Sequence, residues 1–174
     1  YYPNGILKTY AFYKNNLKHG SVEEHHENGH VKEKRNYDKG VLSGFLERYD
    51  QNDHLISTEK YVNGHLEGEK KEWNTEGNLL SRQHYANGLL HNSKDAPAVS
   101  NYGANEMIVN EQNFRFGLAH GLHKRYASNG KESYLVAYEN GKKIGIERWF
   151  FENGLIKGEG EYKNGVPVGS HYRK

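Results

Sequence analysis

The chain offers 11 histidines, 22 acidic and 24 basic side chains among 174 residues, so the first question is whether any of them converge on a reaction. The densest group is His25-His26-x-x-x-His30, the residue type of a zinc site. Zinc needs three or four ligands around one ion. On a strand, His25 and His26 point to opposite faces, and His30 lies past a turn, so no metal is expected here. There is no Cys, which removes disulfides, thiolate ligands and a thiol nucleophile. Carboxylates such as Glu23 and Glu47 recur in register along the chain instead of meeting in one place. No Ser sits in a G-x-S-x-G elbow and no Gly-rich loop opens onto a helix. The expectation is a protein with no catalytic residues, no metal and no cofactor.

What remains is recognition chemistry, and the elements that would carry it are repeats. Gly20, Gly44 and Gly68 are 24 residues apart, as are Gly121, Gly145 and Gly169. Asn92 holds the slot after Gly68, and the step from it to Gly121 is 29, five residues longer. Aromatics keep the same phase: Tyr13, Tyr37, Tyr61, Tyr85, Phe114, Tyr138 and Tyr162 form one series. Tyr1, His25, Tyr49, Trp73, Tyr126 and Phe150 form another. Asn-Gly recurs at 4–5, 28–29, 63–64, 87–88, 129–130, 140–141, 153–154 and 164–165, and is read throughout as a type I′ hairpin turn. Between turns the segments alternate, with Leu55, Ser57, Glu59 and Tyr61 on one side and Ile56, Thr58 and Lys60 on the other.

The predicted fold is therefore all-β: an elongated antiparallel β-hairpin repeat, solenoid-like, of about seven 24-residue units forming one domain over 1–174, with an irregular insertion-bearing repeat at about 92–121. The Tyr series is expected to pack on Leu55, Leu79 and Ile156 as core. A hydrophobic fraction of 34% with 13% aromatics fits a thin sheet better than a thick core. No run of about 18 apolar residues is present to form a membrane-spanning helix.

The motif Tyr61-Val62-Asn63-Gly64-His65-Leu66-Glu67-Gly68 and its copy Tyr162-Lys163-Asn164-Gly165-Val166-Pro167-Val168-Gly169 resemble the MORN-repeat variant, as does Trp149-Phe150-Phe151-Glu152-Asn153-Gly154. Bacterial chains of this kind are similar to the YwqK-type antitoxins. That resemblance implies a MORN-like solenoid sheet and a non-enzymatic immunity protein whose partner is a toxin or effector. MORN-type repeats also serve as scaffolds linked to lipid membranes, which makes a membrane- or envelope-associated scaffold the alternative.

The residues expected to meet a protein partner follow from charge and position. Residues 1–92 carry 12 basic and 13 acidic groups, whereas 93–174 carry 12 and 9. Lys124, Arg125 and Arg148 concentrate charge in the second half, where they would orient an acidic partner. Trp149 has the parity of an outward residue beside Arg125, and Trp and Arg are enriched at binding hot spots. Tyr102, Asn105 and Glu106 would supply contacts from a protruding insertion. A net charge of +2 argues against a nucleic-acid partner. Membrane lipid is the weaker candidate, because no cluster of 4–8 basic residues is present. The compartment stays open: cytoplasmic or, if Tyr1 follows a removed signal, periplasmic or envelope.

Overall fold

The computed structural model describes residues 1–173, with side chains for 1–169 and for Tyr172. Every element is a strand, and the strands pair antiparallel. The chain forms two compact units. The first comprises Tyr1–Ser81 and Tyr85–Gly88; the second comprises Arg82–His84 and the chain from Leu89 onward.

The first unit is a meander of β1 (Thr9–Lys14), β2 (Leu17–His25), β3 (Val31–Asp38), β4 (Val41–Tyr49), β5 (Leu55–Val62) and β6 (His65–Trp73), with most of β7 (Leu79–Ala86). Each strand pairs with the next in sequence. The second unit begins with β8 (Leu89–Leu90), β9 (Val99–Tyr102) and β10 (Ile108–Gln112). A small hairpin, β11 (Phe114–Arg115) and β12 (Leu118–Ala119), stands off the main path. The meander continues through β13 (Gly121–Tyr126), β14 (Glu132–Glu139), β15 (Lys142–Phe150), β16 (Ile156–Lys163) and β17 (Val166–Arg173).

The recurring Asn-Gly pair makes two different turns. At 63–64 both residues are left-handed, φ 50° and 79°, as a type I′ turn requires. At 28–29 only Gly29 is, with φ 92°, and its N–H bonds the His26 carbonyl at 3.0 Å. That is a type I turn closed by a left-handed glycine, not the type I′ turn expected. Asn28 is there for its side chain: Oδ1 accepts from His30 N–H at 3.1 Å, and Nδ2 donates to the Gln51 carbonyl of the next repeat at 2.7 Å.

The repeat glycines lie inside strands. Gly44 has φ 94°, and a Cβ there would meet the Asn36 side chain at 3.3 Å, so the position demands both a left-handed backbone and an empty face. Successive repeats are stitched at the I′ turns. Within the first unit Gly40 N–H reaches Lys18 C=O at 2.8 Å, and Gly64 reaches Leu42 at 2.9 Å. Within the second, Gly141 and Gly165 do the same to Ala119 and Lys143, both at 2.8 Å.

The inner, more buried face of the first unit is ionic. Fully buried apolar side chains there are Val22 and Leu46; Ser57, Glu59 and Ser81 are buried beside them. Cross-strand pairing aligns Glu24, Glu33, Arg48, Ser57 and Glu72 in one row and Val22, Arg35, Leu46, Glu59 and Lys70 in the next. Their charges alternate as a chain of contacts. Lys32 meets Glu24 at 2.9 Å, Arg35 meets Glu24 at 3.2 Å and Glu33 at 2.5 Å, and Arg48 meets Glu33 at 2.8 Å and Glu59 at 2.7 Å. Lys70 then meets Glu59 at 3.7 Å and Glu72 at 3.0 Å. This corrects the apolar core expected for the Tyr series. Ile156 is 38% exposed, and Tyr61 is held by its hydroxyl, which donates to Glu59 at 2.7 Å. Burial, followed by that hydrogen bond to Glu59, pushes the Tyr61 phenol up to about 12.

Candidate binding face

In the second unit the same inner rows change character. Pairing of β10, β13, β14 and β15 aligns Asn110, Arg125, Tyr134 and Trp149 across the sheet. By strand alternation, Gln112, His123, Val136 and Glu147 share that face. In the first unit these rows hold the charges and serines of the ionic chain. Here they hold rings.

Arg125 is exposed, and its guanidinium carbon lies 5.0 Å from the centre of the Tyr134 ring. Tyr134 in turn packs on Trp149, centroids 5.9 Å apart. Tyr134 is pinned because its hydroxyl donates to Glu147, a carboxylate only 2% exposed that Lys143 also contacts at 2.5 Å. Burial alone would raise the Glu147 carboxyl. The hydrogen bonds from Lys143 and Tyr134 outweigh that and hold it below its ordinary value. The Tyr134 phenol is pushed up, first by burial and then by Glu147.

His123 completes the floor. Its ring sits between Phe114, at 5.4 Å, and Tyr138, at 4.5 Å, and Nε2 donates to the Asn113 carbonyl at 2.7 Å. Burial holds its pKa below the ordinary imidazole value, so it is neutral at neutral pH. Together Asn110, Gln112, His123, Lys124, Arg125, Tyr134, Val136 and Tyr138 line a hollow of about 320 Å³.

The expected partner residues are distributed over both faces. Arg125 and Trp149 come together through Tyr134. Trp149 is half-buried against that ring, which corrects its outward placement. Lys124 and Arg148 lie in one row of the opposite face, joined across Leu135. Both are half-buried and neutralised, Lys124 by Glu132 at 2.6 Å and Arg148 by Glu159 at 3.3 Å.

Tyr102, Asn105 and Glu106 belong to an ordinary repeat turn. Gly103 N–H bonds Met107 C=O at 2.8 Å and Glu106 N–H bonds Gly103 C=O at 2.9 Å, the pattern that His26, His30 and Gly29 make. Asn105 Oδ1 caps Met107 N–H at 3.3 Å, as Asn28 caps His30. Tyr102 stands four residues before this turn, in the slot of Tyr49 and Tyr126. Glu106 takes the left-handed position, φ 59°, where the other turns have Gly29, Asp53, Gly77, Gly130 and Gly154. A side chain there costs about 1 kcal/mol. Glu106→Gly should therefore raise the melting temperature of this unit by about 4 °C, read by Trp149 fluorescence. A lower value would refute the strain.

Within the irregular repeat at about 92–121 the five extra residues are thus 93–97, and Tyr102, Asn105 and Glu106 do not belong to them. Asn92 closes the loop they make: Oδ1 accepts from Ala98 and Phe114 N–H, both at 2.9 Å, and Nδ2 donates to Asn113 Oδ1 at 2.7 Å. The histidine cluster disperses in the fold. His26 Nε2 donates to the Tyr49 carbonyl at 3.0 Å, His30 meets Asp53 at 2.9 Å, and His25 lies 4.0 Å from Glu23.

Sequence reasoning missed Tyr134, His123 and Glu147. Their signal was there: each breaks its repeat column, Tyr134 where Glu33 and Ser57 stand, Glu147 where Val22 and Leu46 stand. The family described as MORN repeat variant matches residues 1–15, 18–39, 66–87 and 143–164. A comparison with curated proteins found no match. The matched segments lie on the β-hairpins of the described pattern, and the unmatched stretches 42–62 and 121–140 keep the same bulges and turns, so the repeat architecture extends beyond the segments that match the family.

Proposed function

We propose that this repeat protein is non-enzymatic and binds another protein through the inner face of its second unit. Its role would be that of an antitoxin or immunity protein that covers the active surface of a cognate toxin or effector. The observation supporting the binding face is the Arg125–Tyr134–Trp149 row, a cation and two rings locked by the buried Glu147. Rigid aromatic and Arg anchors carry most of the energy of protein interfaces. The finer role rests on the resemblance of the repeats to the YwqK-type antitoxins.

Tagged protein expressed in its native host should retain one stoichiometric partner that is toxic when expressed alone and harmless when co-expressed. The Arg125→Glu, Trp149→Ala double variant should bind that partner at least about 100-fold more weakly, with an unchanged circular dichroism spectrum. Recovery of lipid or a broad envelope set, with no toxic partner, would reject this reading in favour of the scaffold.

A further inference from the structure

Among the described residues, the hollow on the second unit holds one cation that no carboxylate meets, beside donors that are not used. Arg125 meets no carboxylate among the described residues and lies over the Tyr134 ring. Glu147, on the same face, is already matched by Lys143 and Tyr134. Lys124 borders the same hollow, but its ammonium is matched by Glu132, and Arg148 is matched by Glu159. His123 is neutral at neutral pH and bonded to Asn113. The Asn110 carbonyl is taken by the Asn101 amide at 2.9 Å, which leaves the Asn110 amide as a donor. Tyr138 and Gln112 line the same space, and among the described residues their side chains meet no hydrogen-bond partner.

We infer that this hollow receives a carboxylate side chain from an acidic segment of the partner, with Arg125 as its anchor and Tyr138, Gln112 and Asn110 as neighbouring donors. The inference rests on the protein-binding reading above and names the partner chemistry. A guanidinium offers a planar fork that matches a carboxylate, and stacking on Tyr134 restricts it to one orientation. The ring beneath it is fixed by Glu147, so the fork is held before the ligand arrives, which lowers the ordering cost of binding. An apolar or basic segment would bury Arg125 uncompensated.

The probe is a short, end-blocked glutamate-rich peptide titrated at low salt, followed through the Arg125 Nε–H and Trp149 indole resonances. Saturable binding in the millimolar range is expected. Arg125→Gln should weaken it about tenfold, Arg125→Lys should weaken it less, and Arg115→Gln, an exposed arginine on β11, should leave it unchanged. Added phosphate should compete poorly, because it cannot span the flanking amide and phenol donors as an extended acidic chain does. The inference is overturned if the peptide fails to bind, if Arg125→Gln binds it equally, or if phosphate competes as well as the peptide itself. The two readings separate cleanly. A toxin retained undiminished by Arg125→Gln would sink the carboxylate anchor and leave protein binding standing. Peptide binding through Arg125 without any recoverable toxin would do the reverse.

Discussion

Glu59→Gln is expected to lower the melting temperature of the first unit by about 10 °C, corresponding to about 2 kcal/mol for a unit of this size. Glu59 is buried at 5% exposure and receives Arg48 at 2.7 Å, Tyr61 at 2.7 Å and Lys70 at 3.7 Å. Removing one member of a buried pair leaves charge uncompensated and costs about 3–5 kcal/mol. The smaller figure applies because Arg48 keeps Glu33 and Lys70 keeps Glu72. The same carboxylate predicts how stability varies with pH. Burial alone would raise its pKa, but Tyr61, Arg48 and Lys70 together hold it below the ordinary value.

A carboxylate depressed in the folded state contributes stability that is complete above the unfolded pKa of about 4.3 and is lost as pH falls through the folded value. Wild-type protein should therefore lose stability steeply below about pH 4, and Glu59→Gln should show a shallower acid limb. Glu24, lowered by its hydrogen bond to Lys32, adds to the limb in both proteins. The check is melting temperature against pH, followed by Trp73 fluorescence with Trp149 replaced by Phe. Parallel acid limbs for the two proteins would refute the role given to Glu59.

Asn92→Ala should lower the stability of the second unit by about 3 kcal/mol, about 15 °C in melting temperature. Its Oδ1 satisfies two backbone donors at once, and one of them belongs to Ala98, which is 0% exposed. Each buried donor left unpaired costs about 1–3 kcal/mol. The lost amide also releases Asn113, whose own side chain donates to the Leu122 carbonyl and whose backbone carbonyl receives His120 and His123. Asn92→Asp keeps the acceptor and should lose less. With Trp73 replaced by Phe, Trp149 fluorescence reports this unit alone. A melting point for Asn92→Ala within about 1 °C of wild type would show that the loop 93–97 is held by something else.

These two residues also mark the limit of what the sequence disclosed. Glu59 was readable as a strand residue on the side of Tyr61, but not as buried, because a lone carboxylate in an alternating pattern is usually taken as solvated. Its burial depends on Arg48 and Lys70, which are 11 residues away in either direction and meet it only through the strand pairing. Asn92 was visible as a break in a glycine series. That its amide closes an insertion depends on Ala98, Asn113 and Phe114 arriving around it.

Turn chemistry divides in the same way. Asn-Gly announced a turn at each occurrence, but the backbone takes two turn types by position in the repeat, and at 28–29 and 129–130 the asparagine side chain also reaches the next repeat. Asn105 and Glu106 looked like the tip of an insertion, because a glutamate in a glycine slot hides the repeat phase. The hydrogen bonds from Gly103 to Met107 and from Glu106 to Gly103 reveal it.

The sequence alone determined the all-β class, the 24-residue period and the antiparallel hairpins. All of these are local or periodic properties, written by spacing, glycine placement and alternation. Only the tertiary structure decided which face each charge occupies and which charges remain unspent. It paired Lys124 and Arg148 on one side, left Arg125 stacked on Tyr134 on the other, and buried Glu147 beneath them. The physical reason is that a side chain's electrostatic state is set by partners across neighbouring strands, and a bulge in any one strand changes who those partners are.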